Sequence, residues 1–162
     1  MPQLVKGGKH AFGWSVVGIG GEVVLPPEAI SEYGFKESEW LVLIPGSRTS
    51  GGFGLGKTMS VAESPIGAVL KAHPEWARHE GTVGEVVEHG GKPYCWAELR
   101  RGRVVIPLEM LAKYGIKAGA RLLVIRGSGR ALGFAVRGPI VEEAERHPEL
   151  DVFAIPGRQN RV

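Results

Sequence analysis

Of its 162 residues, the chain has only one cysteine, Cys95, and only one aspartate, Asp151. A lone thiol excludes an intrachain disulfide and fits a reducing, cytoplasmic setting. There is no run of 18 or more apolar residues, so no membrane span is expected. The N-terminal stretch, residues 1–14, lacks the apolar segment of a secretory signal. His79, His89 and Cys95 lack tight metal-ligand spacing. No Ser/His/Asp or Cys/His grouping can be placed. Neither a metal, a cofactor nor catalysis is therefore expected.

Glycine is abundant, with 25 residues, which implies many turns and short elements. The length suits one domain or two small ones. The net charge of +3 is unevenly spread. Residues 1–80 carry 7 basic and 8 acidic side chains, a net of −1, whereas residues 81–162 carry 13 and 9, a net of +4. The excess is mostly arginine, which suits contact with a polyanion.

The dominant feature is an internal repeat. Residues 21–55 recur without a gap as 102–136, and 14 of the 35 positions are identical. The identities fall at turn glycines and apolar positions: Gly21/Gly102, Val23/Val104, Pro26/Pro107, Tyr33/Tyr114, Gly34/Gly115, Ile44/Ile125 and Phe53/Phe134 among them. A second block follows, in which Ser64-Pro65-Ile66 leads to His73-Pro74-Glu75 as Gly138-Pro139-Ile140 leads to His147-Pro148-Glu149. The expected organisation is a first copy over 8–79, a glycine-rich connection over 80–92 and a second copy over 93–155.

Each copy has the same predicted order. Strands are expected at Trp14–Ile19 and Glu22–Leu25, and again at Trp96–Arg100 and Arg103–Ile106. Proline then opens a short helix, Pro27–Tyr33 or Leu108–Tyr114, which Gly34 or Gly115 ends in a left-handed cap. Trp40–Ile44 and Arg121–Ile125 are buried-type strands. Gly52–Leu55 and Gly133–Val136 complete each unit. The tails, Ile66–Ala72 and Ile140–Arg146, read as short helices stopped by proline.

The string Arg101-Gly102-Arg103-Val104-Val105-Ile106-Pro107-Leu108-Glu109, followed by Leu111, Tyr114-Gly115-Ile116-Lys117-Ala118-Gly119 and Leu122-Leu123-Val124, resembles the AbrB/MazE/SpoVT family of swapped-hairpin domains. The first copy resembles it through Gly21–Glu28 and Tyr33-Gly34-Phe35-Lys36. The resemblance implies a mainly β fold with short helices (α+β). It further implies a duplicated swapped-hairpin barrel with a pseudo-two-fold axis inside one chain, an arrangement similar to MraZ-type duplicated proteins. A single unit would leave strand edges and an apolar face open, and a second copy covers both.

The resemblance also implies DNA binding in transcription control, through a basic strand-and-turn surface. Arginine's planar fork suits phosphate and guanine edges. The candidates are Arg100, Arg101 and Arg103 at the second-copy turn. Lys92, and Lys6, Lys9 and His10 of the N-terminal arm, are candidates for added phosphate contacts. The first copy has Gly20 and Glu22 where the second has Arg101 and Arg103, so the expected surface is asymmetric and led by the second copy. The bland reading of the three arginines is a solvated turn paired to Glu98 or Glu109. The alternative function is a protein-interaction or antitoxin-like module with little DNA binding; self-association is possible under either reading.

Three further patterns have structural readings. Gly51–Thr58 formally matches a phosphate-binding loop, but the segment after Thr58 is too short before Pro65 for the helix that loop requires. It reads instead as a glycine-rich hairpin. His73 and His147 read as helix-end residues rather than as metal ligands. Trp14, Trp96, Tyr33 and Tyr114 read as packing residues.

Overall fold

The computed structural model describes residues 3–4, 10–57, 84–127 and 131–156. Strand β1 (Gln3–Leu4) precedes the first copy, which comprises β2 (His10–Val16), β3 (Glu22–Val24), helix α1 (Pro27–Tyr33), β4 (Trp40–Pro45) and β5 (Phe53–Lys57). Then come β6 (Val87–His89) and the second copy: β7 (Lys92–Glu98), β8 (Arg103–Val105), α2 (Leu108–Lys113), β9 (Arg121–Ile125) and β10 (Leu132–Ala135). A tail of α3 (Pro139–Ala144) and β11 (Val152–Phe153) follows. The protein is mainly β with short helices.

The two copies exchange their first strands. β2 pairs antiparallel with β9 of the second copy, and β7 pairs antiparallel with β4 of the first. β5 and β10 join the halves. The order β1-β2-β9-β10-β5-β4-β7-β6 therefore meets equivalent strands from either side of the β10–β5 seam. β3 and β8 form a separate two-stranded ribbon centred on the Val23↔Val104 pair. Had each copy folded alone, β4 and β9 would each present an open edge where β7 and β2 now lie. The main sheet is open, so the closed barrel implied by the resemblance does not appear as such in the strand pairing.

The helices fall where proline and glycine place them. Pro26 and Pro107 stand extended just before α1 and α2. Gly34 ends α1 at φ 68°, donating its N–H to the Ser31 carbonyl. Gly115 has φ 73° after α2. The first strands begin earlier than the sequence suggests, at His10 and Lys92 rather than at the tryptophans. Their early residues include Gly13 and Pro93, which carry no strand preference; Gly13 pairs with Val124 of the other copy, and Pro93 pairs with Glu88 of β6. They also stop earlier. Beyond Val16, Val17 donates to the Ala120 carbonyl, and beyond Glu98, Leu99 donates to the Glu39 carbonyl, so both segments turn into loops of the opposite copy. Within the expected connection, residues 87–92 form a hairpin. β6 folds back on β7 through Gly90-Gly91, at φ 60° and 77°, a left-handed pair that suits a tight hairpin. The first-copy tail lies outside the described residues.

One core serves both copies. It contains Val23, Leu41, Leu43, Phe53 and Leu55 together with Val104, Leu111, Leu122, Val124 and Phe134. Phe53 and Phe134 stack across the seam at 4.7 Å between ring centroids. Val42 and Leu123 point to the opposite sheet face, into two smaller clusters with Trp96 and Trp14 respectively. Both faces of β4 and β9 are thus buried, which explains their unbroken apolar runs. Each fully buried large side chain contributes about 1.5–3 kcal/mol.

Candidate nucleic-acid interface

The three candidate arginines sit on the hairpin joining β7 to β8. Arg100 and Arg103 pair reciprocally through N–H to carbonyl bonds of 2.9 and 3.1 Å, leaving Arg101-Gly102 as a two-residue turn. Both turn residues are left-handed, at φ 54° and 78°, the type I′ geometry that matches strand twist. Asparagine or glycine normally fills the first turn position; a side chain such as arginine there costs about 1–2 kcal/mol.

The first copy holds this turn in place. The Arg101 N–H donates to both Glu37 carboxylate oxygens, at 3.0 and 3.2 Å. Ser38 donates to the Leu99 carbonyl, and Leu25 to the Gly102 carbonyl. Arg101 is therefore presented on a tethered tip rather than on a free loop.

The side chains of the three arginines differ in their partners. Arg100, 66% exposed, lies 3.5 Å from Glu98, in keeping with the bland reading. Arg101 and Arg103 have no carboxylate partner for their guanidinium groups among the described residues. Arg103 lies on the outer face of the ribbon, because Val23 and Val104 take the inner face. With Glu98, Arg100 and Val105 it lines a shallow depression of about 180 Å³.

The other described second-copy arginines are engaged in structure. Arg121 stacks over the Trp14 ring at 4.2 Å. Arg126 binds the Glu32 carboxylate and contacts His10 Nδ1. That bond holds the Glu32 carboxyl below its ordinary range, because Arg126 stabilises the ionised form. Arg137 donates to the Arg48 carbonyl at 3.0 Å, and Arg146 pairs with Glu143 at 3.3 Å. Arg101 and Arg103 stand out by this elimination.

Of the remaining candidates, Lys92 and His10 do not join them. Lys92 opens β7, eight residues before Arg100, roughly 25 Å away along an extended chain. Lys6 and Lys9 lie outside the described residues. His10 is engaged by Arg126.

The first-copy turn is built differently. Gly18, not Ile19, is the counterpart of Arg100: it donates to the Glu22 carbonyl, and Ile19, Gly20 and Gly21 form the loop. One extra residue therefore sits in this turn, which accounts for the near but imperfect match of Trp14 with Trp96. Glu22 Oε1 accepts the Gly20 N–H at 3.0 Å. Ile19 at the tip is 64% exposed.

The other patterns resolve structurally. Phe53–Lys57 of the phosphate-loop lookalike is strand β5, paired with both β4 and β10, so its amides are committed to the sheet. Trp14 and Trp96 are buried. Tyr33 and Tyr114 donate to the Ala131 and Pro93 carbonyls. His147 lies between Glu143 and Glu149, which raise its pKa; His73 lies outside the described residues. Burial pushes the Cys95 thiol up to about 12, an unreactive setting. No group of three metal-ligating side chains occurs among the described residues. No helix among them is long and apolar enough to cross a membrane.

Sequence reasoning missed Glu37. It lies 64 residues from Arg101, and no local pattern points to it. Comparison with known proteins finds no matching family model, curated protein or solved structure.

Proposed function

We propose that the protein is a DNA-binding transcriptional regulator of AbrB-like type, with Arg101 and Arg103 as its principal phosphate or base contacts. In this reading the chain is a duplicated swapped-hairpin domain with an internal pseudo-two-fold axis. The strand exchange between copies supports that reading, as does the ribbon pairing at Val23↔Val104.

The observation that carries the function is Arg101 itself. It is a long cation held at φ 54° on a hairpin tip, where the other copy has glycine. Folding alone favours glycine there, so the side chain's use lies outside the fold. Arg103, whose guanidinium has no carboxylate partner among the described residues, flanks it.

The test is fluorescence anisotropy of a labelled mixed-sequence duplex over a salt series. The Arg101→Ala/Arg103→Ala variant is expected to bind at least about tenfold more weakly. Its salt slope should fall by about 2, near 0.9 per phosphate contact. Arg100→Ala should cost less, because Glu98 already occupies that guanidinium. Unchanged binding by the double variant would remove the reading. The alternative, a protein-interaction module, draws on the exposed Ile19, Val105 and Leu108; it is favoured if no salt-dependent duplex binding is seen at micromolar protein.

A further inference from the structure

The ribbon places two chemically opposed ends on one surface. Its outer face carries Glu22 and Val24 from β3, and Arg103 and Val105 from β8, in the register Glu22↔Val105 and Val24↔Arg103. Glu22 and Arg103 are thus diagonal neighbours, a spacing of about 7–8 Å between backbones. No ion pair joins them among the described residues; Glu22 turns back to its own loop, where Gly20 donates to it. A side chain at Gly20 would first meet three Glu22 atoms, the nearest being Oε2 at 2.7 Å. The first turn is therefore shaped around its own carboxylate, whereas the second is held by Glu37 and carries arginines.

We propose that the protein engages duplex DNA through the second-copy end of the ribbon alone, with Glu22 keeping the first-copy end off the phosphates. The resulting complex is asymmetric, and a single half-site suffices for it. This rests on the DNA-binding reading above. A carboxylate beside a phosphate track opposes binding by like-charge repulsion, whereas an arginine there would release a counterion.

The experiment compares Glu22→Gln and Gly20→Arg/Glu22→Arg with wild type, by anisotropy on the same duplex across a salt series. Glutamine keeps an acceptor for the Gly20 N–H but removes the charge. It should tighten binding by about 2–5-fold at low salt. In the double variant the obstacle at Gly20 is only the far end of one flexible side chain, which can turn away. It should bind at least about tenfold more tightly, and its salt slope should steepen by about 2. A folded double variant that binds like wild type overturns the proposal. If its melting curve shows that it has not folded, Glu22→Gln decides, and no gain there overturns it. These outcomes differ from failure of the parent reading, in which Arg101→Ala/Arg103→Ala leaves wild-type binding unchanged.

Discussion

The turns at Ile19–Gly21 and Arg101–Gly102 belong to equivalent hairpins, but they differ in length, charge and anchoring. The first is three residues long, curls around Glu22 and leaves Ile19 at its tip. The second is two residues long, lifts a left-handed arginine and is tied to Glu37 of the other copy. Their frames agree closely: Leu25 donates to the Gly102 carbonyl as Ile106 donates to the Gly21 carbonyl. Duplication preserved the hydrogen bonds that hold the ribbon and let the exposed tips diverge. A backbone bond in the ribbon cannot be lost without leaving a buried polar group unmet, while a tip side chain in water is free to change.

The strongest way to break this comparison is through what the copies share. Phe53→Ala and Phe134→Ala should each cost about 3–5 kcal/mol by chemical denaturation. Because the rings stack on each other, the double variant should lose less than the sum. Additive losses would mean that the seam is not one packing unit.

The turn glycines come next. A Cβ at Gly21, which has φ 89°, would strike the Ile106 carbonyl oxygen, whereas at Gly102 the nearest atom would be Ile30 Cδ1 at 4.0 Å. Gly102→Ala should cost about 1 kcal/mol from backbone strain alone. Gly21→Ala should cost roughly 2–4 kcal/mol, because the carbonyl must also move. Equal costs in thermal melts would erase the structural difference between the turns.

A smaller effect sharpens it. Ser38 has φ 67° where the second copy has Gly119 at φ 87°. Both donate to the start of the opposite turn, Ser38 to Leu99 and Gly119 to Val17. Ser38→Gly should stabilise by about 0.5–1 kcal/mol, as relief of left-handed strain exceeds glycine's entropic cost. Gly119→Ser should destabilise by about the same amount.

The smallest expected effect is a pH dependence across the copies. Arg126 holds the Glu32 carboxyl below 4.5. The stabilisation this pair provides is present above the unfolded pKa and is lost as pH falls through the lower folded value. Arg126→Gln should lower the melting temperature slightly at neutral pH and leave it unchanged at strongly acid pH. His147 has the opposite sign. Its pKa is raised by Glu149 and Glu143, so its contribution is present below 6.5 and fades as pH rises through the folded value.

Much of the local structure was legible because its causes are local. Proline before each helix, glycine after it and unbroken apolar runs for β4 and β9 act within a few residues. The contrast of Glu22 with Arg103 was visible by aligning the copies. Which arginines remain unengaged was not. Arg121 and Arg126 look like Arg101 in the sequence, and only their contacts with Trp14 and Glu32 set them apart. The strand starts at His10 and Lys92 were equally hidden, since they pair with Leu4 of β1 and His89 of β6, which lie outside the aligned repeat.

By itself, the sequence determined two α+β units of the same element order, joined in one chain and bearing unlike charges at their first turns. Those features rest on residue preferences and on a repeat that any alignment reveals. Tertiary structure alone decided that the copies exchange strands, that one core serves both, and that Glu37 anchors the tip carrying Arg101. Each of these depends on which distant residues meet. Such meetings are set by burying apolar faces and closing strand edges over the whole chain, and no local stretch of sequence carries that information.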